Sequence, residues 1–133
     1  MTSGKLVLGS RSPRRRELLA RIVPEDRIEV VPPASAVEPG FAGLGDWDGI
    51  EARLRDIALG KSADVMRQIA AAGRTGIAAV VAADTVIVAG AEGRRVVLGQ
   101  PPDDESWREA VREWFHKHLL GRTHIAATAL CVA

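Results

Sequence analysis

Ala78-Ala79-Val80-Val81-Ala82-Ala83-Asp84-Thr85-Val86-Ile87-Val88 is an apolar, β-branched run with one carboxylate in its middle. Val80, Val81, Val86, Ile87 and Val88 suit a pleated surface covered on both faces, where strands read as continuous apolar runs rather than as alternation. The run predicts a buried strand. Asp84 does not fit such a surface, because an unpaired carboxylate in a core costs several kcal/mol, on the order of a whole domain's net stability. A cation, a metal or hydrogen-bond donors should therefore lie beside it. Two readings stand: a capping or turn-forming Asp where the strand ends, or a metal-binding or catalytic Asp at the strand's polar end.

Toward the N-terminus, Leu6-Val7-Leu8-Gly9 is followed by Ser10-Arg11-Ser12-Pro13 and then by Arg14-Arg15-Arg16-Glu17-Leu18-Leu19-Ala20-Arg21-Ile22. This reads as strand, loop and helix, with Ser12 as N-cap, Pro13 as first helical residue, and Leu18, Leu19 and Ile22 as apolar stripe. Arginines in a helix's first turn oppose the dipole, whose N-terminal end is already positive, and a phosphate would resolve the conflict. Backbone N–H groups, the dipole and guanidinium forks would together hold it. A solvated basic turn or a short nuclear-localisation-like run is the other reading. If the site is real, helical geometry favours Arg11, Arg14 and Arg15 over Arg16.

Ile28 to Val31 predicts a strand stopped by Pro32-Pro33, and the Gly-, Pro- and acid-rich segment from Ala34 to Gly49, which contains Glu38, predicts a loop. Ile50, Leu54, Ile57, Ala58, Val65 and Ile69 then recur at helical spacing, with Lys61 inside their stripe. Such a lysine either snorkels to water or points its ammonium at an anion. Gly73 and Gly76 end this helix. Past the central strand, a turn over Ala89 to Gly93 and a return over Arg95 to Leu98 predict a hairpin. A helix opened by Asp103, Asp104, Glu105 and Ser106 should bury Trp107, Val111, Trp114 and Phe115. His116-Lys117-His118 reads as a solvated helix end, because no third ligand of matching spacing accompanies it. A last strand is expected over Ile125 to Val132.

Composition narrows the function classes. In 133 residues, 47% hydrophobic and 26% charged usage is that of a folded globular chain long enough to bury roughly two-thirds of its unfolded surface. A net charge of +1 provides no overall field toward nucleic acid or membrane, so anion binding has to be local. The single Cys131 excludes an internal disulfide and fits a reducing compartment. The apolar segments are too short for a signal peptide or a bilayer span, and a cytoplasmic setting is expected.

Taken together, Leu8-Gly9-Ser10-Arg11-Ser12-Pro13-Arg14-Arg15 with Glu17-Leu18-Leu19, Ala83-Asp84-Thr85-Val86, and Gly99-Gln100-Pro101 followed by Gly121-Arg122-Thr123-His124 resemble the Maf family of nucleoside triphosphate pyrophosphatases, also called septum-formation-inhibitor-like proteins. The resemblance implies an α/β, Maf-like (inosine-triphosphatase-like) fold, a mixed sheet with flanking helices. It implies residues 1–133 as a single Maf-like domain that lacks the usual C-terminal part, with the second lobe incomplete. The implied activity is hydrolysis of a nucleoside triphosphate to its monophosphate and pyrophosphate with a divalent cation, Mg or Mn, a house-cleaning reaction on non-standard or surplus nucleotides. Carried over by position, Asp84, Glu38 and Lys61 are the implied catalytic residues, with Glu38 and Asp84 as metal ligands. Ser10, Arg11, Ser12, Arg14, Arg15, Thr85, Gln100 and Arg122 are the implied substrate-binding residues. Gln100 stands where the family carries a lysine, which leaves a hydrogen bonder without a charge.

Two other readings compete with this one. A catalytically silent relative that binds nucleotide or a protein partner fits Gln100 and the missing part, while a nucleic-acid module is opposed by the near-neutral charge and the lack of stacking aromatics. An uncovered edge along Ile125 to Val132 would favour association, as a homodimer or with a completing chain.

Overall fold

A computed structural model of the protein describes residues 4–133. The elements run β1 (Lys5–Leu8), α1 (Pro13–Ala20), β2 (Ile28–Val30), α2 (Trp47–Ala71), β3 (Ile77–Ala89), β4 (Val96–Leu98), α3 (Trp107–Trp114) and β5 (Ile125–Val132). A short 3-10 turn precedes β2, and a five-residue π-helix, Phe115–Leu119, follows α3. The chain forms an α/β fold with a mixed sheet and flanking helices. It divides into two compact units, the first made of the chain up to Pro39, Arg55–Asp84 and Ala129–Ala133, the second of Gly40–Leu54 and Thr85–Thr128. No helix among the described residues is long and apolar enough to cross a membrane.

In the first unit, β1 pairs in parallel with β2 (Leu6 opposite Ile28, Leu8 opposite Val30) and with β3 (Lys5 opposite Ile77, Leu8 opposite Val81). Parallel neighbours require crossovers, and α1 and α2 supply them. The core of this unit is Val7, Val65 and Val80, with Val31, Ile69 and Ile77 packed against it. Val80 and Ala133 exchange N–H···O bonds in both directions, at 2.7 and 2.9 Å, which marks the C-terminal residues as antiparallel to β3. With the order β2-β1-β3, the chain leaves β1 toward one side and returns on the other. The carboxyl end of β1, beside β3, is thus a topological switch point, the place where open α/β sheets bind ligands.

Gly9 occupies that end. Its N–H donates to Val81 O at 2.8 Å, and a Cβ on it would lie 2.9 Å from Val65 Cγ2 of α2. Only a residue without a side chain lets the helix come this close to the strand.

In the second unit, β3 and β4 form the expected antiparallel hairpin, with Ile87 opposite Leu98 and Ala89 opposite Val96. Gly90 turns it with φ of 89°, in a place where a Cβ would also meet Arg94 O at 2.9 Å. The loop expected over 34–49 is shorter than its composition suggests, because α2 starts at Trp47. Glu92 of the hairpin turn meets that start: its Oε1 accepts from Trp47 N at 2.8 Å, while its Oε2 accepts from Arg95 Nε at 2.8 Å. A carboxylate from another element does here what an N-cap side chain does locally.

Two expected apolar faces are not buried. Helix α1 ends at Ala20, so Ile22 falls beyond it and is 83% exposed, Leu18 is 52% exposed, and no residue of α1 is buried. Trp107 and Phe115 are about half exposed. Helix α3 has only eight residues, and the wider π turn beginning at Phe115 rotates that ring off the stripe.

Candidate active site

Asp84 lies inside β3, not at its end, and is buried. Neither turn formation nor a strand terminus accounts for it. Its counterion does: Lys61 Nζ sits 2.9 Å from Asp84 Oδ1 and 2.9 Å from Glu38 Oε1. The three side chains are 12%, 18% and 41% exposed for Asp84, Lys61 and Glu38, a gradient from sheet to solvent. Lys61 therefore points its ammonium at anions, with its stem along the buried stripe of α2 formed by Leu54, Ile57, Ala58 and Val65. That geometry is the consequence of one helix carrying an apolar face interrupted by one cation.

The loop after β1 supplies the second component. Ser12 caps α1, its Oγ accepting from Arg15 N at 3.3 Å, and Pro13 takes the first helical position, as expected. The buried Ser10 accepts from Ser12 N at 3.0 Å, which folds the loop tightly onto the end of β1. Arg15 turns back toward the sheet: its Nη1 donates to Ala83 O at 2.9 Å and lies 3.5 Å from Ser10 Oγ. Lys61 Nζ is also within 3.5 Å of Ala83 O, so two cationic groups meet the backbone next to Asp84. Arg11 takes another direction and donates to Pro33 O at 2.8 Å, whereas Arg14 and Arg16 are exposed.

The first unit thus brings together Ser10, Ser12, Arg15, Glu38, Lys61 and Asp84. Thr85, Gln100 and Arg122 belong to the second unit. Strand alternation turns Thr85 to the face opposite Asp84, where its Oγ1 shares a hydrogen bond with Thr128 Oγ1 at 2.9 Å. Gln100 is exposed after β4, and Arg122 donates to Lys117 O at 2.7 Å, closing the end of the π-helix.

Two residues that the sequence pattern did not single out support the Glu38 loop. Asp64 accepts from Ala34 N at 3.0 Å and Ser35 N at 3.2 Å through its two oxygens, and Gln68 Nε2 donates to both Asp64 Oδ1 at 2.9 Å and Pro32 O at 3.0 Å. The Ala34 amide foremost, then the Gln68 and Ser35 donors, hold the Asp64 carboxyl below its ordinary 3.8. The signal available in the sequence was spacing: Asp64 follows Lys61 by one helical turn and Gln68 follows Asp64 by another.

A metal would find two hard oxygen donors converging on one cationic position, since Glu38 and Asp84 already share the Lys61 ammonium. Magnesium is commonly held by one or two carboxylates together with substrate phosphates, so the donor set fits. Among the described residues, no group of three or more His, Cys, Asp or Glu side chains gathers as a protein-only cage.

A parallel β2-β1-β3 core with a charged site at its switch point defines the class, an α/β domain with a carboxylate pair gathered around one lysine. The family is then specific: residues 5–133 match the Maf-like protein family, and the chain belongs to it. Among curated proteins it is 35% identical over 127 residues to a dTTP/UTP pyrophosphatase of Thermococcus kodakarensis, covering 96% of this chain and 56% of that protein. Proteins of the same description from Anaeromyxobacter dehalogenans (34% identity, 96% of this chain, 53% of that one) and Carboxydothermus hydrogenoformans (35%, 95% and 55%) are similarly related. The chain spans about half the length of these relatives.

Proposed function

We propose that this chain carries the reaction site of a nucleoside triphosphate pyrophosphatase, which hydrolyses a nucleotide to its monophosphate and pyrophosphate. The observation that carries the reading is the Lys61 ammonium held 2.9 Å from both Glu38 and Asp84 at the carboxyl end of the parallel strands. The names of the relatives point to dTTP and UTP as substrates, and removal of surplus or non-standard nucleotides in the cytoplasm is the role that follows.

In this reading Ser10, Ser12 and Arg15 at the start of α1 receive the phosphate chain, where helix N–H groups and guanidinium charge favour an anion. Lys61 offsets negative charge that grows on the phosphate oxygens as the bond to pyrophosphate breaks. Asp84, paired with Lys61 through Oδ1, orients or deprotonates the attacking water. Glu38 and Asp84 would hold a magnesium or manganese ion, which neutralises phosphate charge and acidifies bound water. Arg11 and Arg14 stand at the edge of the phosphate region.

The test is pyrophosphate release from dTTP, UTP, the other common nucleotides and modified ones, with magnesium or manganese, for this chain and for Asp84→Asn. Turnover that vanishes in Asp84→Asn is the expected result. Binding of triphosphate by the folded chain without turnover would leave the silent-relative reading in its place. Association, as a homodimer or with a completing chain, is the assembly we expect, and sedimentation of the fully active species as a monomer would refute it.

A further inference from the structure

Between Val31 and Asp46 the chain has no helix or strand, yet Glu38 in the middle of this segment reaches Lys61 at 2.9 Å. Glu38 is 41% exposed, and an ion pair that open to solvent contributes too little to fix so long an irregular segment. Something else has to hold the loop in register.

We propose that Asp64 is a positioning residue for Glu38, clamping the loop to α2 so that the Glu38 carboxylate arrives at the Lys61 ammonium. The clamp is bidentate: one oxygen takes Ala34 N and the other Ser35 N, at 3.0 and 3.2 Å. Gln68 braces it from the next turn by donating to both Asp64 and Pro32 O. Ser35 extends the order one step toward Glu38, its Oγ accepting from Val37 N at 3.2 Å. Arg11 fixes the same loop from the β1 side through Pro33 O at 2.8 Å.

The decisive point is that anchor and target ride on one helix. Asp64 follows Lys61 by three residues on α2, so the distance from clamp to ammonium is set by rigid helical geometry. From Ser35 to Glu38 the chain can span at most about 10 Å, which limits Glu38 to the neighbourhood of Lys61 once Ser35 is pinned. The inference rests on the reading of Glu38 as a site carboxylate.

The test is a double-mutant cycle on the full chain. Asp64→Asn keeps the shape but replaces one acceptor oxygen with a donor facing an amide. In the native background it should weaken Mn2+ binding, read by calorimetry, about tenfold, the size usual for groups that orient a ligand from behind. In the Glu38→Gln background the same change should do nothing further, and an equal loss in both backgrounds overturns the proposal. If the native chain binds no Mn2+ and releases no pyrophosphate, the functional reading fails, but the clamp is still measured by 15N relaxation. The Glu38 amide should then be as rigid as α2 in the native chain and mobile in Asp64→Asn, and an unchanged amide overturns the proposal. Should Asp64→Asn not fold, Gln68→Leu removes only the brace and should give the same background dependence at smaller size; equal losses would again overturn it.

Discussion

The guanidinium of Arg15 donates to the carbonyl oxygen of Ala83 at 2.9 Å, so the first turn of α1 is fastened to the residue that precedes the buried Asp84. Among the arginines that crowd this helix start, the one half-buried against the sheet is Arg15, while Arg14 and Arg16 face solvent. Arg15→Ala should lower kcat/KM for pyrophosphate release roughly 10- to 100-fold, the value of a hydrogen bond to a charged group. Arg16→Ala should stay within about twofold of the native chain. Steady-state kinetics on the two variants side by side decides the matter, and equal losses would mean that the cluster acts only through its summed charge.

Lys61→Met leaves Glu38 and Asp84 facing each other without the cation they share. The cost should be about 1–3 kcal/mol in urea unfolding, as for other polar groups left unpaired at partly buried positions. Manganese should stabilise the variant more than it stabilises the native chain, because the ion takes the place of the lost ammonium. Melting curves with and without the ion measure the difference; equal stabilisation would exclude competition for one position.

Ser12 is the N-cap of an eight-residue helix in which no residue is buried, so α1 has little packing to fall back on. Ser12→Ala should cost about 1 kcal/mol of stability, and Ser12→Asp should restore it. The restored variant would nevertheless bind triphosphate poorly, since a second anion would sit where the phosphates are received. Denaturation and binding, measured on the same samples, separate the two effects.

Acid should loosen the start of α2. The Arg95 side chain first, then the Trp47 amide, hold the Glu92 carboxyl below its ordinary 4.5 in the folded protein. A depressed folded value means that the contribution to stability is complete above the unfolded value, begins to fall as pH drops below about 4.5, and is lost once pH passes the folded value. Glu92→Gln should flatten this part of the stability profile. An identical acid slope in the variant would show that other carboxylates carry it.

Much of the fold was legible because it depends on local rules. The central run gave β3 almost to its ends, the last strand was expected at the observed limits of β5, and Ser12-Pro13 announced the start of α1. Lys61 was visible as a cation on an apolar stripe, although only the fold could show that it faces anions. What stayed hidden depends on residues distant in sequence. The first amide of α2, Trp47 N, is held by Glu92, 45 positions away, and Glu38 is delivered by a clamp 29 and 30 positions from the loop amides it holds. The apolar faces of α1 and α3 misled for the opposite reason: periodicity records which residues could be buried together, whereas burial needs something to cover them.

Gly9 carries no functional group, yet the absence of its side chain works as a spacer setting for the reaction site. Val65, the residue it would strike, is fully buried and β-branched, with no rotamer to retreat into. Lys61 lies one turn before Val65 on the same helix. An added methyl group at position 9 would therefore be relieved by lifting α2 from β1, and the displacement would be carried to the ammonium as a change in its distance from Asp84. Substitution at this glycine should thus register as lost turnover at temperatures where the protein is still folded, a chemical fault with a purely mechanical origin.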